Sequence, residues 1–240
     1  MKKIKFADIS CLFDNTYQLG VLSQEDTFRL GQVPLKGYCH AGRTVIFNQK
    51  NRDYWMQLES SLVILHCSDV AYDYTIKPKS SNILIPLFPD AKLITYDFKA
   101  AAVKAGLAMR GRNNLVWSIE FGFMCKITAF GFKNEIVDYE RPELPEWLPQ
   151  CNDCSICTDA CPGEAFVSGE YQRDLCESVI GPQVQSHLIK FDRRYRRTNV
   201  PWQGVPGGIE NHCQECQRHC PVHGHYQQEL LPARRRGNHG

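Results

Sequence analysis

Cys151-Asn-Asp-Cys154-Ser-Ile-Cys157-Thr-Asp-Ala-Cys161-Pro162 decides how this chain is read. The spacing is C-x2-C-x2-C-x3-C-P. A second run, Cys213-Gln-Glu-Cys216-Gln-Arg-His-Cys220-Pro221, repeats its last part as C-x2-C-x3-C-P, and Cys176 stands alone between the two. Eight of the 12 cysteines therefore fall between 151 and 220, while Cys11, Cys39, Cys67 and Cys125 are scattered through the first half. The opening residues, Met1 to Asp8, meet an acid with no apolar stretch behind it and read as a mature cytoplasmic N-terminus. Thiols stay reduced in such a compartment, so clustered cysteines ligate metal or do redox chemistry there and do not form a disulfide framework.

The spacing has a physical reason. A tight C-x2-C-x2-C turn lets three thiolates reach three irons of one cubane while its amides face the sulfides. The cysteine three residues on aims away, and in bacterial two-cluster ferredoxins it ligates the other cluster. On that rule Cys151, Cys154, Cys157 and Cys220 hold cluster I, and Cys161, Cys213, Cys216 and Cys176 hold cluster II. Two [4Fe–4S] clusters use all eight cysteines with none left over. Two tetrahedral zinc sites of four thiolates each are the alternative, since C-x2-C pairs also serve zinc. Zinc sites are usually built from separated pairs and need neither the triple run nor a Cys-Pro at both ends. Cys67 and Cys125 sit in apolar, strand-like patterns and read as small buried hydrophobes. Cys11 and the Cys39-His40 pair have no partner spacing.

The remaining composition is ordinary. Of 240 residues, 43% are hydrophobic, 22% charged and 11% aromatic, which excludes disorder and leaves ample chain for a core. A net charge of +2 provides no strong field toward nucleic acid or membrane. No apolar run approaches the ~18 residues of a spanning helix. Asp192-Arg-Arg-Tyr-Arg-Arg197 and Arg234-Arg-Arg236 are basic, but residues 151–240 hold 10 Lys+Arg against 10 Asp+Glu. These runs read as a solvated face or a dock for an acidic partner, in preference to specific nucleic-acid readout. His212, His219, His223 and His225 crowd the second cysteine run and read as tuning hydrogen bonds near cluster II or facing solvent. Gly106 to Gly111 lacks the strand–turn–helix setting of a dinucleotide loop.

Three prolines in Arg141-Pro-Glu-Leu-Pro-Glu-Trp-Leu-Pro-Gln150 mark a semi-rigid connector. Residues 1–145 are expected to form an α+β domain for substrate, cofactor or docking, and residues 146–240 a small, loop-rich, ferredoxin-like domain with two clusters. In the first, Ser61-Leu-Val-Ile-Leu-His-Cys67 predicts a buried strand and Asn82-Ile-Leu-Ile-Pro-Leu-Phe88 an edge strand. Lys99 to Met109 predicts a helix stopped at Gly106, and Asn114 to Glu120 and Met124 to Phe130 predict strands. In the second, Arg173 to Ile180 predicts a short helix. So little apolar periodicity points to metal–thiolate bonds as the source of that domain's stability.

The paired arrays with a lone cysteine between them resemble those of epoxyqueuosine reductase, and related reductive dehalogenases carry similar paired clusters. Ala101-Ala-Val-Lys-Ala-Gly-Leu-Ala-Met-Arg-Gly-Arg-Asn-Asn-Leu115 and Glu120-Phe-Gly122 are similar to that family's A-G-L-G-x-x-G-K-N-x-L…E-Y-G-S stretch, with Gly111-Arg-Asn113 in place of G-K-N. The resemblance implies a nitroreductase-like α+β module that binds cobalamin and receives low-potential electrons from the clusters. The family's acidic residue lies in a Gly-x-Asp-Tyr-His setting; Tyr72-Asp73-Tyr74 lacks the glycine and histidine, so Asp73 is not assigned as a proton donor. The leading expectation is an iron–sulfur oxidoreductase that relays electrons from a redox partner protein, through two clusters, to a site in residues 1–145. A non-catalytic ferredoxin-like carrier and a tRNA-modifying epoxyqueuosine reductase proper are the alternatives. No residue in 1–145 declares a catalytic role by spacing.

Overall fold

The computed structural model describes residues 3–32, 45–46, 52–67, 76–123, 125–172, 175 and 215–225. The chain divides into two units, Met1–Gly111 with Leu115–Leu148, and Arg112–Asn114 with Pro149–Gly240. The sequence reading placed the break at 145/146.

The first unit runs β1 (Ile4–Lys5), α1 (Phe6–Ser10), β2 (Tyr17–Ser23), α2 (Gln24–Gly31), β3 (Val45–Ile46), α3 (Arg52–Met56) and β4 (Ser60–Cys67). It continues with α4 (Ile76–Leu84), β5 (Lys92–Thr95), α5 (Phe98–Lys104), β6 (Met109–Arg110), β7 (Val116–Trp117), β8 (Cys125–Phe132) and β9 (Ile136–Val137). Five strands form one sheet in the order β2-β4-β8-β5-β3. Its pairings are antiparallel except β3 with β5. Helices and strands are thus mixed along the chain, as the α+β expectation had it.

β4 explains the layering. Leu62, Val63, Ile64 and Leu65 are consecutive and each is 0% exposed. Successive strand residues face opposite sides, so a run without a polar break must be covered on both. Val63 and Leu65 pack with Leu22, Trp55, Leu58 and the α5 alanines Ala101, Ala102 and Ala105. Leu62 and Ile64 pack with Ile9, Leu84, Phe130 and Phe132 on the other side. Each such side chain stabilises the fold by roughly 1.5–3 kcal/mol. The polar groups trapped on the α5 side satisfy one another, with Thr27 Oγ1 2.8 Å from Ser61 Oγ and Ser61 Oγ 3.0 Å from the Tyr96 hydroxyl. The small α5 face is needed, because a Cβ on Gly20 of β2 would lie 2.8 Å from the Ala105 Cβ.

Both ends of α5 are written in the sequence. Asp97 accepts hydrogen bonds from the Lys99 and Ala100 amides at 3.1 and 3.0 Å, satisfying two donors of the first turn. At the far end Gly106 adopts φ +72°, donates to Val103 O, and lets the Leu107 amide reach Ala102 O, both at 2.9 Å. That pair of bonds is a Schellman closure.

Two expected strands are corrected. Asn82 to Phe88 is not a strand: Leu84 ends α4, and the Phe88 amide returns to Leu84 O at 2.8 Å. Leu84 is buried in the core and Phe88 packs against it, while Ile85 and Leu87 are exposed, so the apolar run does not alternate as a pleated strand would. The strand is the less apolar Lys92–Thr95 instead. Of Asn114 to Glu120 only Val116–Trp117 is extended. Ser118 ends it, because its Oγ accepts the Glu120 and Phe121 amides at 3.1 and 3.2 Å and forms a turn.

Cys67 and Cys125 face each other across the β4–β8 ladder, half-buried against the α5-side core. Burial pushes the Cys125 thiol up to about 12, and Cys67 beside it adds to the rise.

The second unit has a 3-10 turn at Pro149–Cys151, then α6 (Ile156–Asp159), β10 (Phe166–Val167), β11 (Glu170–Tyr171), α7 (Glu215–Arg218) and α8 (Pro221–His225). β10 and β11 form a hairpin that the sequence reading missed. Its two-residue loop, Ser168 at φ 52° and Gly169 at φ 82°, has the positive φ pair of a type I′ turn. The helix expected over Arg173 to Ile180 lies, Leu175 apart, outside the described residues. No helix among the described residues is long and apolar enough to cross a membrane.

Two outcomes are expected. Gly106→Ala places a Cβ 2.4 Å from Pro142 O at a left-handed φ, and should destabilise the fold by about 2–4 kcal/mol in urea denaturation; a loss under about 1 kcal/mol contradicts the closure described. Burial holds the Cys125 thiol protonated near neutral pH, so iodoacetamide should leave it intact in the folded protein and label it on unfolding. Mass spectrometry of digests distinguishes the two.

Candidate functional site

Cys151 ends the 3-10 turn, Cys157 lies in α6, and Cys154 sits in the segment that joins them. The Asn152 amide reaches Pro149 O at 3.2 Å and the Cys154 amide reaches Cys151 O at 3.4 Å; the Thr158 and Asp159 amides then reach Ser155 O at 2.8 and 2.9 Å. Cys157, inside α6, is buried.

Cys220 arrives from far along the chain. Beyond α7 the Cys220 amide returns to Gln217 O at 3.2 Å, and Pro221 opens α8. Proline suits that first position because its missing N–H would have no helical partner there. Cys220 is buried, and α6 packs against α7. Cys151, Cys154, Cys157 and Cys220 together line one cavity of about 340 Å³, with Gln150, Pro221 and Val222 completing the wall.

These thiols feel one another. Burial pushes Cys157 up to about 11, and Cys220, Cys151 and Cys154 each push it further the same way. Burial also raises Cys151, with Cys220 and Cys154 adding to the rise; the Arg112 main-chain N–H and the Arg112 charge oppose it. Four thiolates on one cavity therefore call for cations among them. A single zinc ion draws its sulfurs in to ~2.3 Å, which leaves no void between them. Among the described residues no three His, Cys, Asp or Glu side chains are grouped to hold one metal ion. A cavity of about 340 Å³ walled by four thiols fits a multi-iron cluster that takes one thiolate per iron.

The second expected ligand set is seen only in part. Cys161 is half-buried, and its Sγ accepts the Ala165 amide at 3.4 Å. Cys216 is half-buried on α7. Neither lines the cavity, and Cys176 and Cys213 lie outside the described residues. Of the histidines, His219 is exposed against the Glu215 carboxylate at 3.5 Å, while burial lowers the pKa of His223. The His223 Nε2 is 3.4 Å from the Gln217 amide nitrogen. His212, the side chain of His225, Cys39, His40, Asp73 and both basic runs are outside the described residues. Nothing among the described residues supports the corrinoid that the resemblance implies.

The sequence reading missed Arg112. Its Nη1 donates to Cys154 O at 2.8 Å. The available signal was its place in the Gly111-Arg-Asn113 stretch, which was read only for likeness.

No protein-family model matches the chain. Over 124 residues it is 31% identical to the epoxyqueuosine reductase of Staphylococcus aureus, a match that covers 51% of this chain and 28% of that protein. Among solved structures, epoxyqueuosine reductase from Streptococcus thermophilus aligns with a TM-score of 0.55 at 17% identity, covering 91% of this chain and 65% of that one. The enzyme from Bacillus subtilis aligns at 0.51 and 17% identity, covering 90% and 63%. An epoxyqueuosine reductase solved with an epoxyqueuosine-modified tRNA-Tyr stem loop aligns at 0.55 and 16% identity, covering 91% and 64%. The chain is related to epoxyqueuosine reductase by sequence and by fold, and spans less than two thirds of each of these relatives. The last structure corrects the expectation against specific nucleic-acid readout: a relative of this fold engages a tRNA stem loop, so a neutral charge balance does not argue against such a partner.

Cys157→Ser should cost the anaerobically purified protein about half of its iron while the remaining cluster keeps its EPR signal. Cys11→Ser, at an exposed thiol far from the cavity in sequence, should cost none. Equal iron in the two variants would remove Cys157 from the ligand set.

Proposed function

We propose that this chain is a reductase of the epoxyqueuosine reductase type: residues 146–240 hold two [4Fe–4S] clusters, electrons pass singly from a redox partner protein to a substrate site in residues 1–145, and the substrate is a modified nucleoside in a tRNA stem loop. The observation that carries this reading is the single cavity walled by Cys151, Cys154, Cys157 and Cys220. The sequence and fold relationship to epoxyqueuosine reductase supports the reaction class and the tRNA substrate over a plain electron carrier.

On this reading Cys151, Cys154, Cys157 and Cys220 hold cluster I, and Cys161, Cys176, Cys213 and Cys216 hold cluster II. Bound, such clusters supply one-electron steps at low potential. The chain's own groups do the remainder. Burial of Cys157 and Cys220 keeps water from their side of the cavity, and residues 149–159 carry three of the four cysteines that line it.

The test is anaerobic purification with iron and acid-labile sulfide analysis, EPR after dithionite reduction, and an assay on a tRNA stem loop carrying epoxyqueuosine, with and without added corrinoid. About eight irons per chain and reduction of the modified nucleoside are expected. Eight irons without turnover under either condition would leave an electron carrier. Two zinc ions and no iron would overturn the cluster assignment.

A further inference from the structure

We infer that Arg112 is a positioning residue that sets the reduction potential of the cluster held by Cys151, Cys154, Cys157 and Cys220; this rests on the reading of their cavity as an iron–sulfur site. Arg112–Asn114 groups with the second unit although the chain on either side of it groups with the first. The half-buried guanidinium donates to Cys154 O at 2.8 Å. The Arg112 charge also favours the ionised form of the Cys151 thiol. One residue thus ties down the triple run at the Cys154 carbonyl and sets a positive charge near Cys151.

Among the described residues the guanidinium meets a carbonyl and no carboxylate, so no acid there cancels its charge. Arginine cannot shed that charge by losing a proton. Adding an electron makes a cluster more negative, and a fixed cation beside its ligands favours that state. Among the described residues of α7 and α8, the Arg218 guanidinium is taken up by Glu215 at 3.1 Å, and burial favours neutral His223.

Arg112→Gln keeps a side-chain donor and the main-chain N–H but removes the charge, and Arg112→Lys keeps the charge without the fork. Both are to be purified anaerobically beside the wild type, with iron counted and each cluster's midpoint followed by EPR in a redox titration. The Cys157→Ser protein identifies which signal belongs to this cluster. The expected result is full iron in Arg112→Gln, with that one midpoint lowered. At a fixed potential its reduced-to-oxidised ratio should fall about tenfold, equivalent to 59 mV for a one-electron couple. The other midpoint should be unmoved, and Arg112→Lys should restore most of the shift. Full iron with both midpoints unchanged in Arg112→Gln overturns the inference. If Arg112→Gln loses iron, Arg112→Lys decides: wild-type iron and midpoint support a role for the charge, and loss of iron there as well reduces Arg112 to a purely structural brace. A wild-type protein without iron overturns the parent reading, a result distinct from unchanged potentials.

Discussion

Four thiols on one cavity cannot all ionise unless positive charge enters among them. Burial and mutual repulsion raise Cys157 and Cys151 together, so the arrangement is costly as a set of bare thiolates and favourable as a set of ligands. The second unit is organised around that constraint. The helices and strands described in it are two to five residues long, too short to stand by their own hydrogen bonds. On the proposed reading the bonds from sulfur to iron take the place of a large apolar core.

The first unit solves the opposite problem. Its central strand is apolar on both faces, so it can exist only between two layers, and the alanines of α5 let one layer approach closely. Polar groups caught inside, Thr27, Ser61 and Tyr96, are tied to one another and not to solvent. One chain thus joins a unit held by hydrophobic burial to one in which four cysteines gather on a single cavity.

How far the sequence announced this depends on how local each signal is. β4 was legible because four consecutive apolar residues leave little choice, and α5 because its alanines and Gly106 agree; the Asp97 cap that starts it went unread. The ferredoxin spacing grouped Cys220 with three cysteines some sixty residues upstream, and all four line one cavity; that they ligate iron is the proposal, not the geometry. Asn82 to Phe88 misled because a short apolar run suits a strand and a helix end equally well, and only tertiary packing chose Leu84 as the buried residue. The β10–β11 hairpin depends on the turn pair Ser168-Gly169, which is unremarked in a segment dominated by cysteines. Arg112 had only its place in the Gly111-Arg-Asn113 stretch as a signal, and nothing there points to Cys154, 42 residues away.

That separation bears on how the molecule can be divided. The chain passes between the two units three times, after Gly111, after Asn114 and after Leu148. A gene fragment beginning at Pro149 would carry all eight clustered cysteines and still lack the arginine that grips them. The two units can be described apart, but they are not separable modules in the genetic sense. Recombination or domain shuffling at the proline-rich connector would transfer the clustered cysteines and leave behind the arginine bonded to the Cys154 carbonyl.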